Sequence, residues 1–523
     1  MRPKNKIVLY YPPPEPYARN CPPLPMLALA RMFEPSRFDV CPINGTTDNE
    51  PEKMVIKEIS EGNTICAALT CMTGHQIYEA LKIARLIRKV NPNLPLVWGG
   101  VHPSIEPQTT IKDECVDYVV RGQGESTFRE LVECLINKGS PENIKGLTFK
   151  SNGNILSTPD RFLDDINLFP PFPWDLVDVR KIIRRDAHWG EYFDYYTSQG
   201  CPFDCTFCSE PMFSKRRYTA LSPERLVSEL EMLTKRYGVR TFRFVDSEFF
   251  IRKKDTLEFC ENIVKRKLDI QLIGLNGRID SLLSFDERTW NLFYRAGIRQ
   301  MLIGAESGDQ LVLSILRKRI KVEDTFRLFE IASKHHIALF VSLMTGVPGV
   351  DNQREFSATI ELLDKMLKKD YTSVYNAFIF HYTPYPGSAL YGEAIRHGFK
   401  PPSTLEGWAD FNLFNTRIPW VKKAQKTRAM FITRYILARF TGRERPQNPI
   451  IRFLHTLIYK PIDAIFRWRW KHRFFDHSWL ERKFIDTING CIPLFRGGYL
   501  RELKRRWIVS RKSNLKIHYK NNK

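Results

Sequence analysis

The chain has 523 residues, a length that suits about three domains and excludes a mini-protein or a single small domain. At 43% hydrophobic, 26% charged and 12% aromatic, its bulk is neither disordered, collagen-like nor coiled coil. The net charge of +22 is lopsided: residues 411–523 hold 27 Lys and Arg against 6 Asp and Glu, a net of +21, which leaves +1 for residues 1–410.

An apolar run of only five residues precedes the prolines at 12–14, too short for a secretory signal, so a cytoplasmic location is expected. The one long charge-free window, 371–392, is broken by Asn376, His381, Pro384 and Pro386, and no spanning helix is expected. Strand candidates follow at 6–11, 64–70, 95–98 and 117–120. Between them, helices are predicted over 76–90, with Ile77, Ala80, Leu81, Ala84 and Ile87 on one face, and over 126–136 from a cap at Ser126. Alternating strands and helices mean a parallel sheet, here a doubly wound, Rossmann-like domain over 1–150. A Pro- and Asp-rich stretch, including Phe169-Pro-Pro-Phe-Pro173, marks a linker over 151–185.

The alternation resumes with strands at 193–197, 241–245, 270–275, 300–304, 338–343 and 373–380, and helices at 223–236, 255–267, 286–295, 322–335 and 354–368. Six β/α units over 186–400 fit a partial (β/α)6 barrel, whose chemistry belongs at the strand C-terminal ends; a second doubly wound sheet is the competing architecture. Over 401–523 the pattern becomes basic, aromatic and mainly helical.

Eleven cysteines are scattered except for Cys201-Pro-Phe-Asp-Cys205-Thr-Phe-Cys208, just after the first barrel strand. Thiolates are soft ligands that suit iron–sulfur clusters or zinc. Three in eight residues can grip three corners of a [4Fe–4S] cube and leave one iron open for chemistry; the alternatives are a zinc site lacking its fourth ligand or three unrelated thiols. This loop resembles that of the radical S-adenosylmethionine (SAM) superfamily, C-x3-C-x2-C with an aromatic, here Phe207, before the last cysteine. The resemblance implies that Cys201, Cys205 and Cys208 hold a [4Fe–4S] cluster, and that SAM chelates the open iron and is cleaved to a 5′-deoxyadenosyl radical.

Later strand ends supply candidate SAM contacts in order. Asp246-Ser247-Glu248 follows the second strand, where the family places a segment against the methionine amino group, although the usual Gly-Gly-Glu form is absent. Arg278 follows the third and offers a guanidinium for a carboxylate. Glu306 and Ser307 follow the fourth, with Glu306 able to accept hydrogen bonds from ribose hydroxyls, and Gly346-Val-Pro348 follows the fifth, where glycine permits close approach to an adenine. His381-Tyr-Thr-Pro-Tyr-Pro-Gly387 closes the sixth, as cavity lining or as a plug of the barrel mouth.

In the N-terminal region, Thr70-Cys-Met-Thr73-Gly74, Trp98-Gly99-Gly100-Val-His102-Pro and Arg121-Gly122-Gln-Gly124-Glu125 stand at successive strand ends. Glycines there admit a phosphate or a flat macrocycle. With the following barrel, this order resembles the cobalamin-binding radical SAM enzymes over about residues 5–390. The resemblance implies a cobalamin cofactor against Thr70, Thr73, Gly74, Gly99, Gly100, His102, Gly122, Gly124 and Glu125. The Asp-x-His-x-x-Gly motif that supplies a histidine below cobalt in many such domains is absent, and the His102 side chain reads as a loop or packing residue.

The resemblance implies an enzyme that methylates an unactivated carbon, with cyclisation, ring contraction or hydroxylation as alternative outcomes and a reductant such as flavodoxin or ferredoxin as partner. A nucleic-acid-modifying enzyme of the methylthiotransferase kind would want three further clustered cysteines and a C-terminal β-barrel, neither of which is read here, and a non-catalytic corrinoid carrier would not want the cluster loop. Tail aromatics interleaved with Lys and Arg, among them Trp468, Trp470, Trp479 and Trp507, suit peripheral association with an anionic membrane and a lipid-like substrate. Nucleic acid is not expected as a partner, and no catalytic residue is singled out.

Overall fold

The computed structural model describes residues 4–491, apart from residues 17, 187, 369–373, 413–414 and 442–448. The first sheet has the order β2-β1-β3-β4-β5-β6-β7, from β1 (Asn5–Tyr11), β2 (Phe38–Asn44), β3 (Thr64–Thr70), β4 (Leu96–Gly99), β5 (Tyr118–Val120), β6 (Leu147–Ser151) and β7 (Asn154–Ser157). Its first five strands pair in parallel, and the pairs β5–β6 and β6–β7 are antiparallel. The order reverses between β1 and β3, and in open α/β sheets a ligand crevice opens at the strand carboxyl ends beside such a reversal.

Helix His75–Val90 packs Ile77, Ala80, Leu81, Ala84 and Ile87 into this domain's core. The following helix begins at Gly124, with Gln123 as its cap, and not at Ser126, whose hydroxyl donates to Asp164 inside the first turn. β7 carries the sheet to Ser157, into the stretch read as linker. Further along that stretch Phe169, Phe172 and Trp174 are buried in the barrel core, and the Arg31 guanidinium of the first domain lies 5.0 and 4.9 Å from the rings of Phe169 and Phe172.

The second sheet system starts with β8 (Arg184–Asp186), antiparallel to β9 (Gly190–Tyr195), followed by the short ribbon β10 (Ser198–Gly200) with β11 (Tyr218–Ala220). β12 (Thr241–Phe244) and β13 (Gln271–Ile273) continue in parallel from β9, and β14 (Leu275–Gly277), β15 (Gln300–Glu306), β16 (Ala338–Thr345) and β17 (Val374–His381) form a second parallel set. The two sets are halves of one wall. They part at Gly274, where φ is +68° and a Cβ would stand 2.7 Å from Arg243 Cγ. Counting the split strand once gives six barrel strands with helices between them, the partial barrel expected. One apolar cluster joins Trp98 and Ile77 of the first domain to Val312 and Met344 of the barrel and to Trp408 and Phe411 beyond it, so the two domains share a core. The described residues after 420 are mainly helical, including Lys423–Phe431, Pro449–Lys471 and Trp479–Cys491. No helix among the described residues is long and apolar enough to cross a membrane.

Candidate functional site

The cluster loop leaves β10 through Gly200, at φ +84° and so close to the Arg217 carbonyl that a Cβ would collide with it. The loop is tied across the barrel mouth: Thr206 donates from its N–H to Leu316 O at 3.2 Å and from its hydroxyl to Ile315 O at 2.8 Å, and its carbonyl accepts Leu390 N–H at 2.9 Å. Two of the three sulfurs receive donors. Arg278 Nη1 lies 3.2 Å from Cys205 Sγ, and the Glu210 N–H lies 3.4 Å from Cys208 Sγ. Burial pushes the Cys201 thiol up to about 11 and the Cys208 thiol to about 12, so loss of their protons is coupled to arrival of a metal. Among the described residues no three His, Cys, Asp or Glu side chains converge on a single ion. A cube takes each thiolate on a different iron, so the three sulfurs need not converge on one point. Soft donors, two of them already hydrogen-bonded at sulfur, fit a [4Fe–4S] cluster.

The residues expected around SAM gather at this mouth, and several are already held by protein groups. Asp246 is buried and accepts four hydrogen bonds, from Thr197 N–H (2.7 Å) and hydroxyl (3.0 Å) and from Ser198 N–H (2.6 Å) and hydroxyl (3.0 Å). Burial lifts it to about 6 against those bonds. Its carboxylate fixes the turn that launches the cluster loop, and Ser247 is exposed beside it. Glu248 is buried, accepts the Phe250 N–H at 3.2 Å, and is pushed by burial to about 8.

Arg278 does meet a carboxylate, but it is Asp280, at 2.9 and 2.8 Å; the Lys318 carbonyl at 2.7 Å and the Phe203 ring at 4.0 Å complete its cage. Glu306 occupies a left-handed φ of +60° at a bulge in β15 and pairs with Lys318 Nζ at 3.1 Å, both groups buried. Burial disfavours the Lys318 charge, yet Glu306 outweighs it and the ammonium is stabilised. Lys318 Nζ also lies 6.0 Å from the Phe207 ring. Sequence reasoning missed this lysine. Ser307 is buried, its hydroxyl accepting the Asp309 N–H at 3.1 Å. The Gly346–Val347 N–H groups are gripped by the buried Glu355 carboxylate at 2.7 and 3.4 Å, with Pro348 buried beside them. At the last strand, His381 Nδ1 meets Thr345 Oγ1 at 3.2 Å, and burial drops this imidazole to about 4.

Replacing Lys318 by Met should be costly, because it leaves Glu306 buried without a counter-charge. The expected loss is about 3–5 kcal/mol, read by chemical denaturation, and adding Glu306→Gln should recover much of it. Equal stability of wild type and Lys318→Met would refute the pairing.

A cavity of about 560 Å³ lies between the two domains. Its walls include Tyr11, Thr70, Gly99 and Val120, the carboxyl ends of β1, β3, β4 and β5, and on the barrel side Gly200, Glu210, Asp246 and Ser247. Six of the nine residues expected to meet cobalamin line it: Thr70, Gly99, Gly100, Gly122, Gly124 and Glu125. Met72, Gln76 and Gln123 also line it and were not foreseen. Thr73, Gly74 and His102 lie elsewhere. The buried His102 ring meets Thr73 Oγ1 at 3.0 Å and Trp408 at 5.6 Å between centroids, and a Cβ on Gly74 would stand 3.0 Å from Phe411 O. Burial lowers His102 to about 3, so it is a neutral packing residue. Glu125 joins the domains, pairing with Arg31 at 2.9 Å and accepting Gln199 Nε2 at 3.4 Å. A largely apolar chamber with glycine-edged strand ends on one wall fits a flat macrocycle.

Comparison with known proteins agrees. The Radical SAM superfamily model matches residues 195–363, and the B12 binding domain model matches residues 16–132. A Pyrococcus horikoshii protein named uncharacterized methyltransferase PH0819 is 30% identical over 397 residues, 75% of this chain and 83% of that protein. The anaerobic magnesium-protoporphyrin IX monomethyl ester cyclase of Rubrivivax gelatinosus is 28% identical over 384 residues, 72% of this chain and 67% of the cyclase. The solved structure of the cobalamin-dependent SAM radical enzyme OxsB, with aqua-cobalamin and SAM bound, superposes with a TM-score of 0.72 at 16% identity, covering 99% of this chain and 81% of OxsB. At that identity it shows the shared fold.

Proposed function

Because this chain belongs to the cobalamin-binding radical SAM enzymes, with a [4Fe–4S] cluster, SAM and cobalamin as cofactors, we propose that it methylates an unactivated carbon of a hydrophobic, lipid-like substrate. The observation that carries the reading is the single cavity on which the strand ends of the first domain and Ser247 of the barrel mouth both open. When bound, the cofactors supply the methyl group and the radical that removes hydrogen from the substrate, with electrons from a reductant such as flavodoxin or ferredoxin.

The protein's contribution is placement and exclusion of water. Arg31, Glu125, Gln123 and Gln199 lock the two domains, with Gln123 Nε2 donating to Gln199 Oε1 at 2.7 Å, so the cavity walls keep their separation. Glu355 holds the Gly346–Val347 backbone in one conformation, and Asp246 holds the root of the cluster loop. Apolar walls from Met26, Leu29 and Phe128 keep the chamber dry. The cyclase relative supports a second reading, radical cyclisation without methyl transfer.

Anaerobic incubation of reconstituted enzyme, reductant and methyl-labelled SAM with a lipid extract separates the two. Label in a lipid-soluble product is the expected result. A product that loses hydrogen without gaining label would favour cyclisation, and label confined to water-soluble metabolites would overturn the lipid-like substrate.

A further inference from the structure

We propose that the helices Pro449–Lys471 and Trp479–Cys491 form a docking face for an anionic lipid bilayer, on which the enzyme lies without crossing it. This goes beyond the methyl-transfer reading and does not depend on it. Of the twenty-one large apolar side chains that the described residues leave exposed, eight fall between residues 453 and 484. Such crowding marks an interaction surface.

The first helix has two unlike faces. His455, Tyr459, Ile462, Phe466 and Trp470 are buried, the last four in the barrel core. On the opposite side, at 3.6 residues per turn, Phe453, Leu457, Lys460, Trp468 and Lys471 fall within a roughly 80° sector. Phe453 is 64% exposed, Leu457 53% and Trp468 53%. The second helix adds Trp479, Leu480 and Phe484, exposed by 57%, 60% and 43%.

The charges divide in the same way. Arg439, Arg469 and Arg473 are paired with Asp463, Glu481 and Asp364. Lys460, Arg467, Lys471 and Lys483 are exposed, and among the described residues no carboxylate pairs with them. A stripe that alternates aromatic or aliphatic residues with unpaired cations matches a headgroup region, where rings enter the acyl boundary while Lys and Arg extend to phosphates.

Charge selects this occupant over the others. Residues 492–523, which lie outside the described residues, carry ten Lys and Arg against one Glu and would repel the stripe; a second copy of the face would do the same. Nucleic acid would satisfy the cations and leave the apolar side chains in water.

The test is flotation of the full-length reconstituted protein with vesicles of phosphatidylglycerol and phosphatidylcholine, against vesicles of phosphatidylcholine alone. Wild type should float with the anionic vesicles and lose at least tenfold in bound fraction on the neutral ones. Phe453→Ser with Leu457→Ser and Trp468→Ser should lose binding to a similar degree, and so should Lys460→Glu with Lys471→Glu and Lys483→Glu. Because all six positions are exposed, melting temperatures and iron content should match wild type, which separates lost binding from lost folding. No flotation by wild type, equal flotation of the serine variant, or a self-association equilibrium that the serine variant abolishes while lipid has no effect would each overturn the proposal.

Discussion

Replacing Cys201, Cys205 and Cys208 together by Ala is expected to remove the cluster and all cleavage of SAM. Anaerobically reconstituted wild type should hold about four irons and four sulfides per chain, show the broad absorption of a [4Fe–4S] centre, and release 5′-deoxyadenosine when reduced. The triple variant should hold none and release none. The structure supplies the control: Cys260 is fully buried in helix Lys253–Lys265, far in sequence from the loop, so Cys260→Ala should keep full iron and full cleavage. Arg278 gives a graded readout of the same site. Its guanidinium, fixed by Asp280, the Lys318 carbonyl and Phe203, points a donor at Cys205 Sγ, and a donor to sulfur favours the reduced, more negative cluster. Persistent SAM cleavage by the triple variant would refute the cluster assignment.

Much of this architecture was legible because the barrel's strands and helices alternate cleanly, and because three thiols in eight residues have few chemical uses. What stayed hidden did so for physical reasons. β2 carries Pro42, which breaks a strand pattern but is tolerated at a sheet edge, where β2 lies. Asn152-Gly153, both with positive φ, carries a hairpin signal for β6–β7, and the linker boundary at 151, drawn from the Pro- and Asp-rich stretch, cuts through that hairpin. Lys318 sits in the run Arg317-Lys318-Arg319, which in sequence is indistinguishable from a solvated basic turn. In the fold the flanking arginines reach Asp204 outside while the lysine turns inward to Glu306.

The strand-end carboxylates and guanidinium show a related limit. Position on the barrel locates Asp246 and Arg278 at the mouth, but the fold engages Asp246 with Thr197 and Ser198 and holds Arg278 with Asp280, contacts that carry no local signal. The cobalamin candidates divide in the same way. Glycines at the strand ends reached the cavity, while Thr73, Gly74 and His102, a few residues further along the same loops, turn toward Trp408 and Phe411, which lie more than 300 residues away and carry no local signal.

Gly99→Trp is expected to empty the inter-domain cavity of cobalamin while leaving the protein folded, because at Gly99 the two effects separate. Its backbone is compatible with an ordinary L residue, and a Cβ there would meet only Val120 O at 3.7 Å and Val120 Cβ at 3.9 Å, ordinary contacts. The remainder of a larger side chain has the cavity to enter, where it takes the space of the macrocycle. Gly100 offers no such test, since φ is +94° and a Cβ would stand 2.6 Å from Thr70 Oγ1 and 2.8 Å from Cys71 O, so loss of cofactor there would follow from a disturbed strand end. Gly122, at φ +74° with nothing nearer than Phe213 O at 4.0 Å, is intermediate: it has room, but any side chain pays about 1–2 kcal/mol for the left-handed backbone. Protein produced with cobalamin available should therefore retain it in Gly99→Ala and fall below about a tenth of wild-type occupancy in Gly99→Trp, with iron content and melting temperature unchanged in both, because the cluster loop lies on the other wall. Absorbance of the corrinoid and mass analysis of the released cofactor read the outcome without reference to activity. Wild-type occupancy in Gly99→Trp would place cobalamin outside this cavity, and the methyl-transfer reading built on it would fall.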